Sequence, residues 1–249
     1  MTRLPEHSLH SFDLAMEGDW NYLTGVDEAG RGALAGPVVA GAVLLERDFY
    51  DSRECRELLS FVNDSKQLTA CAREAAFKQM GALEAKGGIH WATGIASVEE
   101  IASLNILGAT RLAMQRAIER VTSRNSFNGG FEFWTEAEEL FARRGGGKKV
   151  IRLLIDGLPL KKFPYLHTAV VKGDGKSLAI GMASILAKIK RDQLMEKLHD
   201  EYPAFGLVTH KGYGTQNHFQ ALCRHGPSPI HRRAFLRKFQ SLENKIPVS

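Results

Sequence analysis

The chain has 249 residues, of which 44% are hydrophobic and 24% are charged. These proportions are typical of a globular protein, and no apolar stretch is long enough for a membrane-spanning helix, so disordered and helical membrane proteins are excluded. The formal net charge of +5 and the sequence pI of about 9.1 mildly favour a polyanionic partner.

The cysteines and the N-terminal segment indicate the compartment. Cys55, Cys71 and Cys223 are odd in number and lack a CxxC spacing, which argues against a disulfide framework or a zinc ribbon and fits a reducing environment. MTRLPEHSLHSFDLAMEGDW has no basic region followed by an apolar one, as a signal peptide would. We therefore predict a cytoplasmic protein that does not bind a membrane.

The predicted elements begin with a β-hairpin. YLTGVD, from Tyr22 to Asp27, has the pattern of a short strand, and the apolar run from Pro37 to Leu45 predicts a second strand. The glycine-rich turn between them joins the two as a hairpin. NDSKQLT then has the composition of a turn, with Thr69 as the N-cap of a helix that we expect to reach about Ala85.

The rest of the chain alternates predicted strands and helices. Ile89 to Ser97 is a predicted strand, and the segment from Val98 to Arg120 has apolar residues near helical spacing. Val150 to Asp156 and His167 to Gly173 are further strand candidates, and a long helix is expected from about Lys176 to His199. This order predicts one α/β domain with a mixed sheet and helical C-terminal additions.

Composition divides the chain into a main domain with a short segment at each end. We expect an N-terminal extension over 1–21, the main domain over 22–237 and a tail over 238–249. Segment 125–147 is rich in glycine and is interpreted as a surface insertion with one short helix. No internal repeat is visible.

Four acids share an unusual position at the carboxyl ends of predicted strands. Asp27 and Glu28 end the first strand, Asp156 ends the strand from Val150, and Asp174 ends the strand candidate from His167. Ligand sites in open α/β sheets favour these ends. If the strands are neighbours, the four carboxylates converge and repel one another unless they are protonated or bind metal ions.

The chemistry of these acids points to hard divalent cations. Oxygen ligands without nearby cysteine favour Mg²⁺ or Mn²⁺, and two such ions about 4 Å apart are a common device for attack on a phosphodiester. Since successive strand side chains point to opposite faces, Asp27 and Glu28 converge only if the strand breaks there. The alternative, that each acid is an ordinary turn residue, suits any single acid better than all four.

The glycine-rich turn allows a second interpretation. Gly30-x-Gly32-x-x-Ala35 matches a dinucleotide-binding fingerprint, which needs a strand before it and a helix opening on the glycines. Gly36-Pro37 and a β-branched run follow instead, so a nicotinamide-dependent enzyme is the weaker hypothesis.

Several motifs together resemble one family. GVDEAGRGALAGPVVAGAVLL, NDSKQLT, LLIDG, VKGDGKSLAIGMASILAKIKRD, HKGYGTQNH and GPSPIHRRAF occur in this order and span roughly residues 22 to 237. They are similar to motifs of the type 2 ribonucleases H, the ribonuclease HII family. The resemblance implies a ribonuclease H-like catalytic domain with a mixed five-stranded sheet flanked by helices. Gly181 and Met182 depart from a usually alanine-rich segment, which concerns helix packing more than chemistry.

The resemblance assigns a role to each acid. Asp27, Glu28, Asp156 and Asp174 fall on the family's four catalytic, metal-binding carboxylates. Asp27 would bridge two divalent ions, Mg²⁺ or Mn²⁺. Glu28 and Asp156 would hold the ion near the leaving 3′-oxygen, and Asp174 would hold the ion that activates water. The sequence does not say which metal is preferred.

The resemblance also identifies substrate-binding residues. Gly30, Arg31 and Gly32 fall on the segment that approaches the minor groove and reads the 2′-hydroxyl, assisted by Tyr213. A glycine-rich backbone can come close to a ribose, and the 2′-hydroxyl separates RNA from DNA. Lys66 resembles a position near the active site and is interpreted either as a phosphate ligand or as an exposed turn lysine.

The implied activity is endonucleolytic. It comprises hydrolysis of the RNA strand of RNA–DNA hybrids and cleavage 5′ of a single ribonucleotide embedded in duplex DNA, leaving 5′-phosphate and 3′-hydroxyl ends. The partners are then these two kinds of duplex, as in ribonucleotide excision during replication and repair. A replication-clamp partner is left open, and a monomer is expected. The alternative is a hybrid-binding module that has lost catalysis, although a binder of polyanions would gain by losing four clustered acids.

The C-terminal region offers two further interpretations. His231-Arg232-Arg233 and Arg237-Lys238 form either a basic face along phosphates or a solvated helix end. Irregular spacing favours caps and turn packing over a zinc site for the histidines of this region, His199, His210, His218, His225 and His231.

Overall fold

The fold is organised around one mixed β-sheet. A computed structural model describes residues 9–17, 20–62, 69–123, 131–133 and 149–236. The strands are β1 (Tyr22–Ala29), β2 (Val38–Glu46), β3 (Ile89–Ala96), β4 (Phe131–Phe133), β5 (Lys149–Asp156) and β6 (Thr168–Val170).

The order of strands across the sheet is β3-β2-β1-β5-β4. β1, β2 and β3 form an antiparallel meander, whereas β5 runs parallel to β1. β4 pairs with β5 along Lys149–Ile151 and β6 pairs with it along Leu154–Asp156, so the two short strands share the outer edge of β5. The sheet is therefore five strands wide, and the predicted mixed five-stranded sheet is confirmed.

Helices cover both faces of this sheet. They are α1 (Leu9–Leu14), α2 (Arg53–Val62), α3 (Ala70–Ala85), α4 (Val98–Thr122), α5 (Leu178–Glu201), α6 (Leu207–His210) and α7 (Gln216–His225). Helices α1, α2, α3 and α5 form one core with Leu23 and Val43, and α4 forms a second core with Val26 and Ala42 on the opposite face. Each large aliphatic side chain fully buried in these cores contributes about 1.5–3 kcal/mol to stability.

Two glycines allow α5 to lie directly on the sheet. A Cβ on Gly25 would lie 2.1 Å from the carbonyl carbon of Ala179, and one on Gly41 would lie 2.4 Å from the carbonyl oxygen of Ala183. A larger residue at either position would push the helix away from β1 and β2. This close approach brings the first turn of α5 next to β1, the strand that carries Asp27 and Glu28.

The predicted helical additions at the C-terminus are confirmed. A 3₁₀ turn at Pro203–Phe205, α6, α7 and a helical turn at 233–236 follow α5. Their apolar residues form a third core, with Met195, Phe205, Leu207, Leu222 and Ile230.

Histidines hold this C-terminal region together. His210 Nε2 lies 2.8 Å from the carbonyl oxygen of Phe205, and the Nε2 atoms of His218 and His231 lie 3.1 Å apart. Burial lowers the pKa of His218 to about 4, so that its ring is neutral at pH 7. For these three residues the contacts are those of turn packing, the interpretation that the spacing favours.

Several described segments differ from the predicted elements. Helices α1 and α2 are not among those elements, and α1, at 6 residues, is too short to show a helical period in the sequence. β4 lies within the predicted insertion 125–147, whose remainder, with its predicted short helix, lies outside the described residues. The glycine-rich turn leads into β2 and not into a helix, so the dinucleotide-binding alternative is wrong.

None of the helices in the described ranges is both long and apolar enough to cross a membrane.

Candidate active site

Two acids meet because β1 and β5 run parallel in a fixed register. Tyr22 pairs with Ile151 and Val26 with Ile155, so the next residues in this register are Asp27 and Asp156. Neighbouring strands lie about 4.8 Å apart, and both side chains follow the alternation that faces α5. Residues far apart in the sequence therefore place two carboxylates side by side.

Asp27 is a buried carboxylate with like charges beside it. The residue is 7% exposed, and burial, with the charges of Glu28 and Asp156, raises its pKa to about 8. Hydrogen bonds from the Ser184 side chain and from the Glu28 amide at 2.7 Å oppose this rise. Ionising Asp27 is costly in this environment, and a bound cation would remove that cost.

Glu28 lies at the same end of β1, although the strand does not break there. β1 continues to Ala29, with Glu28 opposite Ala40 of β2, so the strand break on which convergence of Asp27 and Glu28 was expected to depend is absent. Burial raises the pKa of Glu28, Arg31 at 3.4 Å lowers it, and the charge of Asp156 raises it further. The longer side chain of Glu28 shares the electrostatic environment of Asp156 from the opposite face of the sheet.

Asp174 reaches the site on a turn. It does not end a strand as predicted, because the backbone is left-handed at Lys172 and Asp174 lies in a 3₁₀ turn, Gly173–Gly175. The Gly173 amide donates to Asp156 Oδ1 at 2.5 Å, and a Cβ on Gly173 would lie 3.2 Å from that oxygen. The residue before Asp174 is thus bound to the carboxylate of β5.

The donor set suits hard divalent cations. Asp27, Glu28 and Asp156 offer only carboxylate oxygens, and Asp174 lies in the adjoining turn. The charges of Glu28 and Asp156 raise the pKa of Asp27, and the charge of Asp156 raises the pKa of Glu28. Within the described ranges, no group of three or more His, Cys, Asp and Glu side chains is already closed around one metal position. Buried like charges and oxygen ligands fit Mg²⁺ or Mn²⁺, around which these side chains would draw together.

A groove of about 600 Å³ opens beside these acids. Glu28 and Asp156 line it from the sheet, Arg31 from the glycine-rich turn, and Asn105 and Arg111 from α4. A concave surface with acids at one end and arginines along it can receive a polyanion together with cations.

Arg191 of α5 holds the glycine-rich turn from within the protein. It is 1% exposed and donates to the carbonyl oxygens of Ala35 at 3.1 Å, Pro37 at 3.2 Å and Lys211 at 2.8 Å. Gly30 lies against it with φ of +88°, and a Cβ there would be 1.8 Å from Arg191 Nε. Glycine is required at this position because Arg191 occupies the space.

A second buried arginine closes the turn from the C-terminal side. Arg232 is 2% exposed, and burial, with the charge of Arg191, lowers its pKa to about 9, so it remains protonated at neutral pH. Its guanidinium donates, at 2.8–3.1 Å, to the carbonyl oxygens of Arg31, Ala33, Gly36 and Pro37. The placement of Arg232 on an exposed phosphate-binding face is therefore wrong, and Arg237-Lys238 lies outside the described residues.

Tyr213 joins the same assembly. The residue is 38% exposed, and its ring centroid lies 5.2 Å from the guanidinium carbon of Arg191. Gly212 accepts hydrogen bonds from the amides of Leu34 and Ala35 at 2.8 and 3.3 Å. The structure thus brings two predicted substrate-binding residues, Gly30 and Tyr213, against Arg191. The carbonyl oxygen of Arg31 binds Arg232 instead, and Gly32 follows in the same turn.

Lys66 is the one predicted site residue that the structure does not place. It belongs to segment 63–68, outside the described residues, and its assignment stays a prediction. Conversely, Arg191 and Arg232 organise the turn although the sequence did not mark them for this role.

Comparison with known proteins decides the family. A family model described as Ribonuclease HII matches residues 24–127 and 159–238. A ribonuclease HII of Fusobacterium nucleatum subsp. nucleatum is 38% identical over 247 residues, 98% of this chain and 98% of the relative. One from Bacteroides fragilis is 43% identical over 212 residues, 85% of this chain and 87% of the relative.

This chain belongs to the ribonuclease HII family.

Membership in the ribonuclease HII family confirms the resemblance and, at the level of the family, the prediction of a type 2 ribonuclease H, an endonuclease. Solved structures confirm the fold. Ribonuclease H2 from Pyrococcus horikoshii OT3 has a TM-score of 0.55 and 24% identity, over 90% of this chain and 100% of that one. The match to the PCNA:RNase HII complex from Archaeoglobus fulgidus has a TM-score of 0.54 and 21% identity, over 91% of this chain and 98% of that one. Bst-RNase HIII in complex with Mn²⁺ has a TM-score of 0.56 and 15% identity, over 90% of this chain and 71% of that one.

The ranges matched by the ribonuclease HII model include three of the four acids, Asp27, Glu28 and Asp174, whereas Asp156 lies between the two ranges. The place of Asp156 in the candidate site therefore depends on the register of β5 with β1 and on its hydrogen bond from Gly173.

Gly30 and Gly32 make different structural demands, which allows substrate contact to be separated from stability. Nothing lies within 4 Å of a Cβ on Gly32, so we expect Gly32→Ala to change the free energy of unfolding by less than about 0.5 kcal/mol. If the turn binds the ribose as the resemblance implies, the same variant should slow cleavage at a ribonucleotide by about 10-fold, because its methyl group would stand where the backbone approaches the ribose. Gly30→Ala should instead cost about 2 kcal/mol or more through its overlap with Arg191.

Thermal unfolding and single-turnover cleavage of both variants measure these effects. Full activity of Gly32→Ala on a duplex with one ribonucleotide would contradict a close approach of this turn to the ribose.

Proposed function

We propose that this chain is an endoribonuclease that hydrolyses the RNA strand of RNA–DNA hybrids and cuts duplex DNA 5′ of a single embedded ribonucleotide. The products would carry 5′-phosphate and 3′-hydroxyl ends. The observation that carries this proposal is the pairing of β1 with β5, which sets Asp27 beside Asp156 at the edge of a groove in a member of the ribonuclease HII family.

The four acids would serve as the metal-binding, catalytic groups. Two divalent cations, Mg²⁺ or Mn²⁺, held by Asp27, Glu28, Asp156 and Asp174, would supply an activated water molecule and stabilise charge on the leaving oxygen. A divalent cation is also what the Bst-RNase HIII neighbour binds. The chain's own residues orient the carboxylates: the Gly173 amide binds Asp156 at 2.5 Å, and Arg31 lies 3.4 Å from Glu28.

Recognition of the ribose would rest on the glycine-rich turn. Gly32 leaves open space within 4 Å of its Cβ position, and Tyr213 is partly exposed above Arg191. A backbone that reaches the minor groove can test for a 2′-hydroxyl without reading base edges, so we expect little base preference. The side chain of Arg31 is 54% exposed and can contact a phosphate.

Further parts of the proposal concern the biological setting. We propose a catalytic domain over 22–237, with an N-terminal extension and a C-terminal tail, that acts as a cytoplasmic monomer in replication and repair. The Archaeoglobus fulgidus neighbour is in complex with PCNA, which supports a replication clamp as a partner. The tail over 238–249, the candidate for its docking, lies outside the described residues.

Three duplexes test the proposal. One is DNA with a single embedded ribonucleotide, the second is a long RNA–DNA hybrid, and the third is all DNA; each is incubated with Mg²⁺, Mn²⁺ or EDTA, and the products are sized. We expect metal-dependent cuts 5′ of the lone ribonucleotide and along the RNA strand, with the DNA control intact. Cleavage of the hybrid alone would reject cleavage at a single embedded ribonucleotide. Binding without cleavage under either metal would support an inactive hybrid-binding module.

A further inference from the structure

A buried carboxylate outside the acid cluster lies at the start of α5. Asp13 of α1 is fully buried, and its Oδ2 accepts hydrogen bonds from the Ala179 amide at 3.0 Å and from the Tyr50 hydroxyl at 2.9 Å. Burial raises the pKa of Tyr50 well above its usual value, so the phenol remains protonated and donates. The N-terminal extension therefore supplies a polar group to the main core.

The first turn of α5 needs this acceptor. The initial amides of a helix have no partner within the helix itself. Ser177, the N-cap, accepts from the Ile180 amide at 3.2 Å, and the Ala179 amide is taken by Asp13. The positive end of this 24-residue helix also favours a carboxylate at that point.

The same turn of α5 is joined directly to the segment that carries Asp174. The Ser177 amide donates to the carbonyl oxygen of Gly173 at 2.8 Å, and the Gly173 amide donates to Asp156. Asp174 directly follows Gly173 and lies within the turn that the Ser177–Gly173 hydrogen bond closes. Its position is therefore set by α5 through Ser177 and by β5 through Gly173. A continuous path of hydrogen bonds and one helical turn leads from Asp13 to the candidate active site.

We propose that Asp13 is a positioning residue: together with Tyr50 it fixes the first turn of α5 and so holds Asp174 beside Asp156. The inference rests on the proposed function only where it takes Asp174 to be a metal-binding carboxylate. The mechanical coupling between α1 and the turn Gly173–Gly175 does not depend on that assignment.

The test compares variants of the full chain that each alter α1. Asp13→Ala removes the acceptor of the Ala179 amide, and Asp13→Asn keeps an oxygen for it. His10→Ala is the matched control, because the buried hydrogen bond that His10 Nε2 makes from the same helix, at 2.7 Å, goes to the carbonyl oxygen of Tyr50 and not to α5. Tyr50→Phe removes the hydroxyl that donates to Asp13 and serves if Asp13→Ala fails to fold.

Amide hydrogen exchange of segment 173–180 in metal-free protein is the first readout. Asp13→Ala should speed this exchange by about 10-fold, while His10→Ala should leave it unchanged even if both variants unfold at the same lower temperature. Binding of Mn²⁺, measured by calorimetry without nucleic acid, should weaken by about 10-fold in Asp13→Ala. At a fixed metal concentration kcat should fall by a similar factor and KM for the duplex should stay within about twofold. Asp13→Asn should recover most of each effect, and Tyr50→Phe should fall between it and Asp13→Ala.

Other outcomes overturn the proposal. If Asp13→Ala and His10→Ala alter exchange of segment 173–180 and Mn²⁺ binding equally, Asp13 is only a general contributor to stability. If Asp13→Ala, or Tyr50→Phe in its place, changes neither readout, the turn is positioned by other contacts. Loss of the proposed function would appear differently, as a wild-type chain without metal-dependent cleavage, and hydrogen exchange would still decide the role of Asp13.

Discussion

Asp156→Asn is expected to reduce the rate of cleavage by on the order of 10³-fold or more, while binding of the hybrid stays within about twofold of the unaltered chain. The substitution keeps the size of the side chain and an oxygen for the Gly173 amide, so β5 and the adjoining turn should remain in place. It removes one charge from the pair formed with Asp27, and in the proposed function that charge helps to hold a divalent cation.

The melting temperature of the metal-free protein provides an independent test of the same variant. The charge of Asp156 raises the pKa of both Asp27 and Glu28, so removing it relieves repulsion and should raise the melting temperature of the protein in EDTA. Added Mn²⁺ should stabilise the unaltered chain and stabilise Asp156→Asn much less. Asp200→Asn, the same change at the exposed end of α5, is the control and should alter none of these quantities. Unchanged cleavage by Asp156→Asn would contradict the assignment of Asp156 to the proposed metal site.

The meeting of Asp27 with Asp156 could be anticipated from the sequence, since acids that end parallel neighbouring strands lie at one edge of a sheet. The positions of the other two acids could not. Glu28 stays within a continuous strand and acts from the opposite face, and Asp174 lies on a 3₁₀ turn because the chain leaves β6 early. Strand periodicity indicates where acids fall along the chain, but the length of an edge strand depends on its pairing.

The role of the buried arginines could not be predicted from the sequence, for a different reason. Arg191 and Arg232 bind backbone carbonyl oxygens, and an acceptor of this kind is present at every residue and leaves no pattern in side-chain type. One signal was available. Arg191 stands four positions from Ala187 and from Met195 on the buried stripe of α5, and an arginine on such a stripe indicates an internal partner.

The glycine-rich turn should lose its shape when Arg232 is replaced. Arg232→Met leaves the carbonyl oxygens of Arg31, Ala33 and Gly36 without this donor, and removes a buried charge that is fully committed to hydrogen bonds. We expect the free energy of unfolding to fall by about 3–5 kcal/mol, which corresponds to roughly 6–20 °C in melting temperature for a chain of this size. Cleavage at a single ribonucleotide should fall by about 100-fold, because in the proposed function a displacement of the turn by about 1 Å would misplace the ribose.

Comparison with two other variants shows whether hydrogen-bond geometry or charge is responsible. Arg232→Lys keeps the charge but has only three donors and no planar fork, so it should recover little of the stability. Arg233→Met removes the same charge from the exposed neighbouring residue and should leave the melting temperature unchanged; if Arg233 contacts phosphate, its effect would appear as weaker duplex binding that depends on salt. If Arg232→Met keeps both the melting temperature and the cleavage at a single ribonucleotide, then Arg191 and the amides bound to Gly212 hold the turn without Arg232. If stability falls and cleavage of the single-ribonucleotide duplex and of the long hybrid is reduced equally, the turn supports the whole site and does not select the ribose.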